Sequence, residues 1–109
     1  MADFDHTLID DVIHSRLRLA IMAVLASVER AEFSFLRKTV NATDGNLGAH
    51  LRKLEEAGYI GTEKLFVDRK PRTDCFLTEL GRNAFREYVE RLAGLVRAPA
   101  VPLKQGEKT

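Results

Sequence analysis

The sequence predicts a mainly α-helical domain with one small β-hairpin, and three observations carry that prediction. Residues 17–28, LRLAIMAVLASV, contain only two polar side chains, Arg18 and Ser27, so a helix here is apolar almost all round and buried on several sides. Leu47, Leu51 and Leu54 fall at i, i+4 and i+7, the single stripe of a helix with one face to water. After Gly58 the helical period is lost, and strand-forming runs flank the polar stretch at 68–72.

The elements follow in order. Residues 7–13 place Leu8, Ile9, Val12 and Ile13 at helical spacing, with Asp10 and Asp11 as polar partners, and read as a short helix. Ser15 stands where a cap belongs for the next helix, 16–28, the expected centre of the core. Ser34 is the candidate cap of a short helix over 35–40, with Phe33, Leu36 and Val40 pointing inward. Asn41 and Ala42 supply a tight turn, and Thr43 caps the third helix, 43–57. Asp44 lies in its first turn, where the helix dipole favours an anion, and Gly58 ends it. Residues 59–60 and 64–67 read as strand, 68–72 as a proline-containing turn and 73–77 as the returning strand. Thr78 caps a last helix, 79–97. Residues 98–109 hold two prolines, a glycine and scattered charge; they are expected to be disordered, which leaves 1–97 as one domain.

Composition narrows the function. The 109 residues fit a single domain. With 17 Lys and Arg against 16 Asp and Glu, the net charge is +1, which excludes nucleic-acid binding by bulk charge and demands a local cluster. No apolar run approaches the roughly 20 residues of a membrane span. The acidic start lacks the basic region of a signal peptide, so a cytoplasmic protein is expected. A lone cysteine, Cys75, forbids an internal disulfide and a multi-cysteine zinc site.

Helix, short helix, tight turn, helix, hairpin and helix, in that order, describe a winged helix-turn-helix: a three-helix core, a wing and a C-terminal helix. The stretches IHSRLRLAIMAVL, FSFLRKTVNATDGNLGAHLRKLEEAGYI and KLFVDRKPRTDCFLTELG resemble the small MarR- and ArsR-like bacterial transcriptional regulators. The resemblance spans about 13–81, with the last helix continuing it, and implies a sequence-specific binder of double-stranded DNA that is not an enzyme. It implies that helix 43–57 enters the major groove and that the wing, 64–77, lies on the adjacent backbone or minor groove. A winged-helix module that binds a partner protein through the same surface is the alternative.

A recognition helix needs an apolar back and a polar front. The three leucines form the back, and Thr43, Asp44, Asn46, Ala49, His50 and Lys53 are the candidates for the front. The Asn46 amide suits an adenine edge, and Thr43 a phosphate or base. Thr43 and Asp44 are equally suited to capping alone, and the His50 ring either meets DNA or packs against the helix behind. The sequence departs from the usual polar pair of related regulators at Gly48 and Ala49. Gly costs a helix interior about 0.8–1 kcal/mol relative to Ala. Ala49 can touch a thymine methyl but donates no hydrogen bond, which shifts weight to backbone contacts and DNA shape. The hairpin supplies that weight: Lys64, Arg69, Lys70 and Arg72 against Asp68 give a local net charge of +3. Arg69, Lys70 and Arg72 are the expected contacts to phosphates or the minor groove.

Phe85, Tyr88, Leu92 and Leu95 follow spacings of three, four and three, a short a/d seam widened by Ala84, Val89 and Val96. Left exposed it would be a large apolar patch, so a homodimer is expected, with Leu8, Ile9, Val12 and Ile13 as possible additions; folding back onto its own domain is the alternative. A two-fold dimer would set its recognition helices about 34 Å apart. His6, Asp10 and His14, at i, i+4 and i+8, would share a face of one continuous helix and suit zinc or nickel. The break expected at Ser15, and the absence of the cysteine pair found in many metal-sensing relatives, argue against a metal, and no cofactor is expected. Cys75 reads as a buried inert thiol, with redox sensing as the alternative. No spacing suggests catalysis or identifies a small-molecule effector.

Overall fold

The apolar run forms helix α1, Arg16–Ala26, in the computed structural model, which describes residues 5–97; the tail expected to be disordered lies outside the described residues. Ile21, Met22 and Leu25 on α1 are buried at the centre of the core. The helix stops two residues early because the Ser27 hydroxyl and backbone N–H both turn back to the Val24 carbonyl, at 2.8 and 3.0 Å. Ser15 holds the N-cap position, but its side chain makes no capping bond.

The expected helix over 7–13 does not form. A single 3-10 turn, His6–Leu8, is followed by a turn over 11–13 built on Asp10. Its Oδ1 accepts the backbone N–H of Val12 at 2.8 Å and of Ile13 at 3.3 Å. Aspartate competes here for the hydrogen bonds a helix would use. Ile9 and Ile13 still reach the core.

Strand β1, Ala31–Glu32, was not anticipated and precedes helix α2, Phe33–Thr39. Glu32, rather than Ser34, is the N-cap, so α2 starts two residues before the expected point. Leu36 is buried, and Phe33 and Val40 pack against the core as expected. Asn41, at φ 56°, takes the left-handed conformation that asparagine tolerates, and the chain turns into helix α3, Asp44–Glu56. Thr43 caps α3: its Oγ1 accepts the Asn46 N–H at 3.1 Å. Leu47, Leu51 and Leu54 are all buried. At the far end Gly58 N–H donates to Glu55 O at 2.9 Å and Tyr59 N–H to Leu54 O at 3.0 Å, a Schellman motif that requires Gly58 at φ 81°.

Strands β2, Ile60–Val67, and β3, Lys70–Leu77, form an antiparallel hairpin, and β1 adds to β3 to give the order β1-β3-β2. The turn is only Asp68–Arg69, both at positive φ (52° and 67°), as in a type I′ turn, so Lys70, Pro71 and Arg72 belong to the strand. Pro71 is tolerated because pairs alternate along the ladder and, next to the turn-closing pair Val67–Lys70, Phe66–Pro71 falls at a position that exchanges no hydrogen bonds. Its nitrogen faces an edge that β1, paired only with Asp74 and Cys75, leaves free. Helix α4, Glu79–Arg97, starts at Thr78, whose hydroxyl accepts the Gly81 N–H at 3.0 Å and donates to Gly58 O at 2.6 Å. Gly81 permits this docking: a Cβ there would lie 1.9 Å from the Tyr59 carbonyl oxygen.

Candidate nucleic-acid interface

With its leucines inward, α3 turns Thr43, Asp44, Asn46, Ala49 and Lys53 to solvent and leaves His50 half-buried. The Thr43 hydroxyl is engaged in capping, and the Asp44 carboxylate pairs with Arg37 of α2, Oδ1 to Nε 3.1 Å. That pair neutralises the one acid on the exposed front of the helix N-terminus. His50 packs against the helix behind it, half-buried beside Arg18 of α1. Its Nδ1 lies 3.0 Å from the Arg18 guanidinium, which can only donate, so the ring is neutral with its proton on Nε2. Desolvation, with the charges of Arg18 and Lys53, pulls the imidazole below its ordinary value. Arg18 also donates to the carbonyls of Val12 and Asp11, tying the N-terminal segment to α3 through one side chain. The sequence held a signal for this: Arg18, a charge set within the apolar run 17–28, requires a partner.

On the wing the three expected contacts divide. Arg69 and Lys70 are exposed at the tip. Arg72 is bound within the sheet: its Nε and NH2 donate to the two oxygens of Asp74 at 2.9 and 3.2 Å, with Glu32 of β1 at 3.9 Å. Asp74 is only 2% exposed and is the buried charge that holds this cluster. Its hydrogen bond and charge raise Arg72 further above the ordinary guanidinium value. Arg30 joins from the loop before β1, 2.8 Å from Glu63 and 3.8 Å from Asp74, with its guanidinium 5.3 Å from the Phe76 ring centre. Arg72 is thus neutralised chiefly by Asp74, two residues on along its own strand, with Glu32 added by β1, a strand too short for any periodicity to reveal.

The seam of α4 divides too. Tyr88 is 3% exposed and packs inward, its hydroxyl 2.9 Å from His14 Nδ1. Phe85 and Leu92 pack partly against the core, while Leu95, at 46%, and Val96, at 83%, stay exposed with Leu80, Val89 and Leu8. Part of the seam therefore folds back, because the irregular N-terminal segment lies beneath it. That segment also separates His6, Asp10 and His14, which share no helix face. Asp10 accepts the Tyr59 hydroxyl, a half-buried phenol pushed up to about 12 first by desolvation and then by that carboxylate. Among the described residues no three His, Cys, Asp or Glu side chains are placed to hold a metal. Cys75 is buried in β3, and burial pushes its thiol up to about 11, far from a reactive thiolate.

A helix-turn-helix followed by a basic two-residue hairpin, on a three-helix core, defines a winged-helix domain. Residues 17–96 match the family described as winged helix DNA-binding domain, and the chain belongs to that family, one of DNA-binding regulators rather than enzymes. It is 38% identical over 84 residues to an uncharacterized protein of Methanocaldococcus jannaschii, covering 77% of this chain and 91% of that one. The fold is similar to that of a transcriptional regulator homologue from Pyrococcus horikoshii, at TM-score 0.74 and 33% identity over 78% of this chain and 84% of that one. A MarR-family regulator from Silicibacter pomeroyi shares the fold at TM-score 0.60 and 18% identity, covering 86% of this chain and 64% of that one. No helix among the described residues is long and apolar enough to cross a membrane.

Proposed function

We propose that the protein is a cytoplasmic, sequence-specific transcriptional regulator that binds double-stranded DNA as a homodimer. In this reading α3 lies in the major groove and the wing, 64–77, on the adjacent minor groove or backbone. The observation that carries it is the juxtaposition of a polar α3 face with a basic wing tip in a chain whose net charge is only +1. Asn46 and the free Nε2–H of His50 offer base-edge hydrogen bonds, Ala49 a small apolar contact, and Lys53 a phosphate contact. Thr43 and Asp44 position the helix end; Asp44, paired with Arg37, brings little repulsion to the phosphates. Arg69 and Lys70 meet the backbone, while Arg72 holds the wing in shape.

The dimer is supported by the apolar surface that α4 leaves uncovered. Leu95, Val89 and Val96, bordered by the half-buried Phe85 and Leu92, present that surface to a two-fold copy, and Tyr88 braces the helix from below. The test is selection of bound fragments from a genomic pool, followed by affinity measurements across salt. Log affinity should fall with log salt by about 0.9 for each phosphate contacted. A salt-independent affinity, or no enrichment of any fragment, would overturn the reading in favour of a protein-binding module.

A further inference from the structure

We propose that Phe66 is an apolar wedge that the wing presses into the minor groove of bound DNA, making the protein sensitive to how easily the flanking base steps deform. The proposal rests on the reading of the protein as a DNA-binding regulator and adds a specificity residue to it.

Phe66 is 79% exposed, although it is among the largest apolar side chains of the fold. Strand alternation sets Ile60, Thr62, Lys64 and Phe66 on one face of β2. Ile60 on that face is buried in the core, and the Thr62 hydroxyl donates to Glu55 of α3 at 3.0 Å. Phe66 therefore lies on the side of the wing that looks toward the recognition helix, carried past the core to the tip. Its cross-strand partner is Pro71, also exposed, so the two rings form a single apolar ridge. The ridge is stiffened by the two-residue turn immediately beyond it.

The surroundings select the partner. Lys64, Arg69 and Lys70 are all exposed around the ridge, against the single acid Asp68. An apolar centre with a cationic rim matches a minor groove, whose walls are phosphates and whose floor is sugar faces and base edges. Side chains such as Phe and Pro, inserted there, partly unstack a base step and bend the duplex toward the major groove. Pyrimidine–purine steps such as TA and CA unstack most easily, so the wedge favours them at positions where no hydrogen bond is made. This offsets the sparse direct readout expected from Gly48 and Ala49.

The experiment uses the full chain, Phe66→Ala and Phe66→Leu, with duplexes selected by the wild-type protein. Each duplex carries either a TA step or a stiff A-tract under the wing. Phe66→Ala should weaken binding to the TA duplex by about tenfold, the scale of burying a phenyl ring. It should have little effect on the A-tract duplex, and the salt slope should not change because no phosphate contact is lost. The bend, read by end-to-end energy transfer, should decrease, and Phe66→Leu should retain most of it. Unchanged melting of both variants would show the fold intact. Equal affinity of Phe66→Ala and wild type for the TA duplex overturns the wedge alone. Equal losses on both duplexes overturn the shape preference, and failure of the wild type to bind any duplex overturns the parent reading with it.

Discussion

Arg69→Gly is expected to make the protein more stable and a weaker DNA binder. Arg69 occupies the second position of the Asp68–Arg69 turn at φ 67°, where a side chain other than glycine is strained by about 1–2 kcal/mol. Glycine removes that strain but adds backbone freedom to the unfolded chain, which takes back about 0.4–1 kcal/mol. The net gain lies between about 0 and 1.6 kcal/mol, and its midpoint of about 0.8 kcal/mol raises Tm by about 3–6 °C for a domain of this size. The same change deletes an exposed cation at the wing tip, so the salt slope of a bound dimer should fall by about 0.9 for each of its two wings. Calorimetry and a salt titration of affinity read the two effects separately. A lowered Tm would refute the type I′ geometry, and an unchanged slope would refute contact between Arg69 and phosphate.

Arg72→Ala should do the opposite, lowering Tm because buried Asp74 loses both of its short hydrogen bonds, while leaving the salt slope within error. Leu95→Asp should give a folded monomer by sedimentation, since Leu95 is exposed in the single chain and a charge there meets its own copy only in the dimer. The folded value of His50 lies below its ordinary one, so on acidification the unfolded chain takes up the proton first. Stability should then fall as pH drops through the ordinary imidazole range toward the lower folded value, and His50→Gln should flatten that part of the profile in chemical unfolding.

What the sequence determined by itself was whatever depends on near neighbours along the chain. The leucine stripe of α3, the Thr43 cap, the Asn41 turn and the Gly58 stop are each set by residues within one or two helical turns, so spacing and residue type sufficed to read them. Charge clustering at the wing was legible for the same reason. Tertiary structure decided matters whose partners are distant in sequence. Asp10 ended the expected N-terminal helix by accepting the Val12 and Ile13 N–H groups, and is held in that role by the Tyr59 hydroxyl, 49 residues on. β1 exists because β3 is there to pair with it, and it adds Glu32, with Arg30 just before it, to the pair that Arg72 already makes with Asp74 on its own strand. Tyr88 turned inward because His14 and the irregular segment under α4 offered it a partner. A periodic pattern says which face of an element is apolar; only packing says what that face meets, and hence which charges and rings remain free to bind something else.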